Sequence, residues 1–72
     1  MNYAQRLKDL REDADLNQTQ VAEIIQTSQS YYAQYENGKR DMPFYRAIIL
    51  AKYYNISLDY LAGLTNEPKR LY

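Results

Sequence analysis

The sequence predicts an all-α fold, a compact bundle of five short helices, on three observations. Apolar residues recur at three- and four-residue spacing, and period-two alternation that would mark strands is almost absent. Asparagine and serine stand directly ahead of most of these apolar stripes, where their side chains can cap a helix start. Asn-Gly, Pro and Gly punctuate the intervals. At 72 residues the chain fits one domain. Its cysteine count is zero, so the core must hold without disulfides.

Asn2 with Gln5 three residues later reads as a capping box opening the first helix. Leu7, Leu10 and Tyr3 form its inward stripe, and Asp13 to Asp15 end it, because Asp tolerates turn geometry. Asn17 caps a second helix of about two turns, with Val21, Ala22 and Ile25 on its apolar face. Gln26-Thr27-Ser28 is a polar break. Ser28 caps a third helix from Gln29 to Glu36, with Tyr32 and Tyr35 pointing inward and Asn37-Gly38 closing it. After a loop from Lys39 to Met42, Pro43 suits the first turn of a fourth helix. That helix carries Ala47, Leu50, Ala51 and Tyr54 at i, i+3, i+4 and i+7. Asn55-Ile56 break it, Ser57 caps a fifth helix through Leu61, and Gly63 ends it. The division is a domain over 1–64 and a polar tail over 65–72, expected to be mobile.

Composition narrows the chemistry. With no histidine and no cysteine there is no common zinc site, thiolate or imidazole base. Asp9, Glu12, Asp13 and Asp15 read as a solvated helix face rather than a catalytic or metal cluster. Two glycines, Gly38 and Gly63, cannot build a phosphate-cradling loop. The expectation is a protein that is not an enzyme and takes no cofactor, metal or small-molecule ligand. No apolar run approaches 18 residues and the first residues lack signal-peptide order, so a cytoplasmic protein without a membrane partner is expected.

Two short helices joined by a three-residue break suggest a helix-turn-helix, whose second helix enters the major groove of DNA. The third helix has no charge before Glu36, and Gln29, Ser30 and Gln34 share a broad exposed face. Glutamine can pair with adenine N6 and N7 together, so these three are the candidate base readers. The same residues would also keep an ordinary surface helix soluble. Gln18, in the first turn of the second helix, is placed to meet a phosphate together with the helix N-terminus. Net charge is zero, with three bases against six acids in residues 1–36 and the reverse in 37–72. A strong electrostatic field toward phosphate is therefore excluded.

Leu16-Asn17-Gln18, Val21-Ala22, Tyr35-Glu36-Asn37-Gly38-Lys39-Arg40 and Ile56-Ser57-Leu58-Asp59-Tyr60-Leu61 together resemble the Cro/C1-type helix-turn-helix family, which includes lambdoid phage repressors and xenobiotic-response-element regulators. The resemblance runs from about Leu7 to Gly63. It implies a lambda-repressor-like five-helix domain on double-stranded operator DNA, often as a homodimer. It assigns Gln18, Asn37 and Lys39, with Arg40 following, to phosphate, and Arg11 and Glu36 to an internal ion pair; a free surface charge is the alternative for Arg11. Gln26 stands where the family usually has glycine, a strain of about 1 kcal/mol. Tyr31 replaces a small residue and either contacts the DNA backbone or lies on the surface. Asp41 to Phe44 stand where some relatives carry further cations.

The implied function is a sequence-specific transcriptional regulator, a repressor of phage, mobile-element or antitoxin type. The alternative is a protein-interaction module that keeps the fold without DNA, which zero net charge and nine tyrosines favour. A homodimer is expected through Leu58, Tyr60 and Leu64, not all of which can enter so small a core; closure of the monomer's own core is the alternative.

Overall fold

The computed structural model describes residues 3–69, and the expected capping box at Asn2 lies outside them. Five α-helices and no strand form among the described residues: α1 (Tyr3–Asp13), α2 (Gln18–Ile24), α3 (Gln29–Glu36), α4 (Phe44–Tyr54) and α5 (Leu58–Leu61). Pro43 is the N-cap of α4 rather than its first helical residue, with its carbonyl accepting from the Arg46 and Ala47 amides.

The starts of α2, α3 and α5 are capped as their chemistry dictates. Asn17 accepts from the Gln20 amide at 2.8 Å while Gln20 returns the bond to the Asn17 amide, a complete capping box. Ser28 and Ser57 accept from the Tyr31 and Tyr60 amides. The helix ends share one device. Asp15, Gln26, Gly38, Asn55 and Gly63 all take positive φ. In each case the next residue's amide reaches back to a carbonyl of the last helical turn: Leu16 to Arg11, Thr27 to Ala22, Lys39 to Gln34, Ile56 to Ala51, Leu64 to Asp59. Asp and Asn tolerate this left-handed geometry and glycine has no Cβ to strain it. Gln26, at φ 61°, has neither advantage.

Packing follows the stripes. Leu7, Val21, Ala22, Ile25, Tyr32, Tyr35, Leu50, Ala51, Ile56 and Leu61 form the core. α3 lies against both α1 and α2, and α5 bridges α1 and α4. The Tyr32 and Tyr35 rings are fully buried and meet edge to face at 6.3 Å. Tyr35 accepts a hydrogen bond from Arg46 Nη1, and Arg46 Nε donates to the Ile25 carbonyl at 3.1 Å. One arginine of α4 thus ties the turn between α2 and α3 to the core.

The polar tail is tethered over its described part rather than free. Pro68 accepts from the Ser57 amide, and Asn66 accepts from Arg6, a buried residue of α1. Arg6 supplies the reason: its guanidinium, 3.8 Å from the centre of the Tyr60 ring, needs polar partners that the tail provides.

Replacing Gln26 by glycine should raise stability by about 0.5–1 kcal/mol, because left-handed strain is relieved at an exposed site. Urea unfolding measures this, and a lower midpoint at unchanged slope would refute the strain.

Candidate nucleic-acid interface

The candidate surface is built outward from a buried carboxylate. Glu36, in the last turn of α3, has a side chain only 3% exposed. A buried acid requires partners, and it has them from two helices. Arg11 of α1 donates through Nε to Oε2 at 2.7 Å and through Nη2 to Oε1 at 3.2 Å. Gln18 of α2 donates through Nε2 to Oε1 at 3.1 Å. Arg11 also donates to the Leu16 carbonyl, which secures the loop leading into α2. The ends of three helices are thereby fixed relative to one another. Burial works to raise the Glu36 pKa, but hydrogen bonds, from Arg11 first and Gln18 among them, outweigh it and hold the group below the ordinary carboxylate range. Burial pushes the neighbouring Tyr32 phenol up, with the Glu36 charge adding to the rise.

From this centre a hydrogen-bond chain reaches solvent. Gln18, with its Nε2 committed to Glu36, offers its Oε1 to Gln29 Nε2 at 2.6 Å. Gln29 and Ser30 are exposed in the first turn of α3, and Gln34 lies one turn further, half-buried. The α3 face therefore carries an amide whose orientation traces back to the ion pair.

The second half of the surface lies at the α3 C-terminus. Asn37, Lys39 and Arg40 are exposed. Arg40 turns back over the helix, with its Nε donating to Gln34 Oε1 at 3.2 Å and its guanidinium 4.5 Å from the centre of the half-buried Tyr31 ring. Tyr31 itself rests edge-on against Tyr35. The loop beyond is anchored by Tyr3, whose hydroxyl accepts from the Met42 amide and donates to Asp41. Asp41, where a phosphate-binding cation would be useful, instead holds the loop to α1.

Leu58 and Leu64 line an apolar groove of about 300 Å³ with Tyr3, Met42 and Phe44. Its lining comes from α1, α4, α5 and their flanking loops, with no residue of α2 or α3. Phe44 and Leu64 are 69% and 78% exposed. Tyr60 is turned elsewhere: its ring lies under Arg6 beside a separate polar hollow containing Asp9, Glu12 and Asp13.

Two arginines escape a reading by composition. Arg6 sits on the same stripe as Tyr3, Leu7 and Leu10, and a cation on a buried stripe signals an internal partner. Arg46 is signalled only indirectly, by a helix end at Ile25 that lacks a glycine and leaves carbonyls in need of a donor.

The Helix-turn-helix family profile matches residues 7–61. The chain belongs to the Cro/C1-type helix-turn-helix family of transcriptional regulators. Among curated proteins it is similar to two of Bacillus subtilis strain 168. It is 41% identical over 66 residues to the uncharacterised HTH-type transcriptional regulator YobD, covering 92% of this chain and 59% of YobD. It is 31% identical over 70 residues to the HTH-type transcriptional regulator ImmR, covering 97% of this chain and 55% of ImmR. The chain thus spans little more than half the length of these relatives. Among solved structures, a transcriptional regulator from Listeria innocua superposes with a TM-score of 0.85 at 29% identity, over 92% of this chain and 62% of that one. The P22 c2 repressor, solved in complex with synthetic operator 9T, has the same fold, with a TM-score of 0.78 at 20% identity over 85% of this chain and 92% of that one.

The Glu36 cluster sets an acid limit on stability. A carboxylate held below its ordinary value contributes its full stabilisation above the unfolded value, near 4.5, and loses it as pH falls through the lower folded value. Stability should therefore decline on acidification through that window. A Glu36→Gln variant, less stable near neutrality, should show a flatter decline there. Thermal unfolding across pH 2–7 reads the difference; an unchanged slope in E36Q would assign the acid sensitivity to other carboxylates.

Proposed function

We propose that this chain is the sequence-specific DNA-binding unit of a transcriptional repressor, of phage, mobile-element or antitoxin type, acting in the cytoplasm without chemistry of its own. The observation that carries the reading is the Gln18–Gln29 pair: an exposed amide on α3, oriented by a hydrogen-bond chain from a buried ion pair. A purely solubilising surface has no need of such an arrangement. α3 enters the major groove, with Gln29, Ser30 and Gln34 meeting base edges and Gln29 suited to adenine. Gln18, Tyr31, Asn37, Lys39 and Arg40 face the phosphates that set the register. The shared fold with a repressor solved on operator DNA supports this placement.

A single short helix reads too few base pairs to find one site in a genome, so two copies on a two-fold site are part of the reading. The structure offers the second copy the apolar groove at Leu58 and Leu64, extended by Phe44 and formed without α2 or α3. Tyr60 lies outside that groove, because Arg6 covers its ring.

Selection from random genomic fragments at low salt tests the function and should enrich a short, two-fold-symmetric sequence. Against that sequence, Gln29→Ala should lose about 1–3 kcal/mol of binding, with little loss on random DNA. Equal losses on both would mean that Gln29 does not read bases. Lys39→Ala should instead weaken all DNA alike and lower the salt slope by about one unit.

Leu64→Asp should reduce affinity for the two-fold site while leaving a half-site unaffected, since the side chain is exposed and its loss spares the core. Sedimentation with the site counts protomers; one protomer at saturation would dismiss the dimer.

A further inference from the structure

We propose that Arg40 is a positioning residue for base reading: it locks the Gln34 amide with its carbonyl turned inward, so that this part of α3 presents donors and selects guanine or thymine over adenine. The inference rests on the reading of α3 as a base-reading helix and adds a specificity to it.

Three ties hold Arg40 over the helix. Its amide donates to the Gln34 carbonyl at 3.3 Å, its Nε donates to Gln34 Oε1 at 3.2 Å, and its guanidinium rests on the Tyr31 ring. The polarity of the second tie has only one solution. A guanidinium has five donors and no acceptor, so it can face the amide oxygen and never the amide nitrogen. Flipping Gln34 would set donor against donor. What Gln34 offers outward is therefore its NH₂ group, alongside the remaining N–H groups of Arg40. In the major groove guanine presents acceptors at O6 and N7, and thymine presents O4. Adenine is recognised fully only by a side chain that also accepts from N6–H₂; one lone pair of the Gln34 oxygen is taken by Arg40, and the guanidinium donors beside the other set donor against the adenine amine.

Gln29 has the opposite polarity, for an equally chemical reason. Glu36, when ionised, only accepts, so Gln18 must donate to it and present its own oxygen. Gln29 must then donate to Gln18, leaving its Oε1 and its second N–H for a base, the complement of adenine. Two identical side chains five residues apart thus ask for different bases. Arg40 makes the distinction at Gln34, and Tyr31 supplies the ring that keeps Arg40 over the helix.

The test combines a measurement on DNA with one that needs none. The base pair read by Gln34 is the one whose preference relaxes in Gln34→Ala. At that pair the wild-type chain should prefer guanine or thymine over adenine by about five- to tenfold. Arg40→Met keeps the aliphatic stem but frees the amide, and should bring that ratio close to one while leaving the preference at the Gln29 position unchanged. Arg40→Lys retains a donor and should restore part of the ratio. If R40M weakens all sites by one common factor and leaves the ratio unmoved, Arg40 contacts phosphate alone and the inference falls. Wild-type preference for adenine at that pair overturns it equally. Independently of DNA, the Arg40 Nε–H signal in NMR of the free chain should be protected from exchange, and Gln34→Leu should abolish the protection. Enriched DNA without that protection overturns this inference alone. Protection with no enriched DNA overturns the base-reading assignment of α3, and the specificity with it.

Discussion

A buried carboxylate in a small protein is stable only if it is surrounded by donors, and the Glu36 side chain collects its donors from two other helices. Arg11 brings the end of α1, and Gln18 brings the start of α2, to the last turn of α3. The relative placement of the first three helices follows from that requirement as much as from apolar packing. Removing one partner would leave the other charge desolvated, a larger loss than the pair's own contribution. Because hydrogen bonds are directional, the requirement reaches further than the pair. It fixes which way the Gln18 amide faces, and through it the Gln29 amide on the surface.

The rest of the fold compensates for small size by closing its ends. Every helix terminates in the same left-handed turn, and two fully buried tyrosines fill volume that aliphatic side chains of this short chain would leave open. Arginines are used as internal ties. Arg6 stacks on Tyr60, Arg11 pairs with Glu36, and Arg46 holds the carbonyl at the end of α2. In a chain with nine basic residues, three are thereby engaged inside the fold. These three arginines serve architecture and are not free to meet phosphate.

What the sequence makes legible are features decided locally. The caps at Asn17, Ser28 and Ser57, the breaks at Asn37-Gly38 and Asn55, and the stripes of α2 and α4 each depend on residues a turn apart, so their positions can be read directly. The strain at Gln26 is legible only through the resemblance to a family that usually has glycine there. Features decided by distant contacts were not. The tail reads as free because nothing near it in sequence explains its order; its partners are Arg6 and Ser57. Leu58, Tyr60 and Leu64 look alike as apolar residues around one short helix, yet Arg6 draws Tyr60 to a different side. The positions of Gln29 and Gln34 on one helix face are visible in the sequence, but the orientation of each amide is not. It is set by Gln18 and Arg40, eleven and six residues away.

On the proposed reading, this division bears on how a reader of DNA with zero net charge can work. Non-specific affinity comes almost wholly from phosphate neutralisation, so a surface with few free cations binds random sequence poorly. Specific affinity retains the base contacts, and these gain when the reading side chains are held in place before binding, since less freedom is lost on forming them. Gln29 is held by Gln18, and Gln34 by Arg40. On the proposed reading, the economy of cations lowers affinity for right and wrong sites alike, and the held amides maintain the gap between them. The shortfall in affinity must then be met by engaging more base pairs rather than more phosphates. On the same reading, a second copy seated in the apolar groove, which is built without α2 or α3, would double the number of bases read without adding net charge.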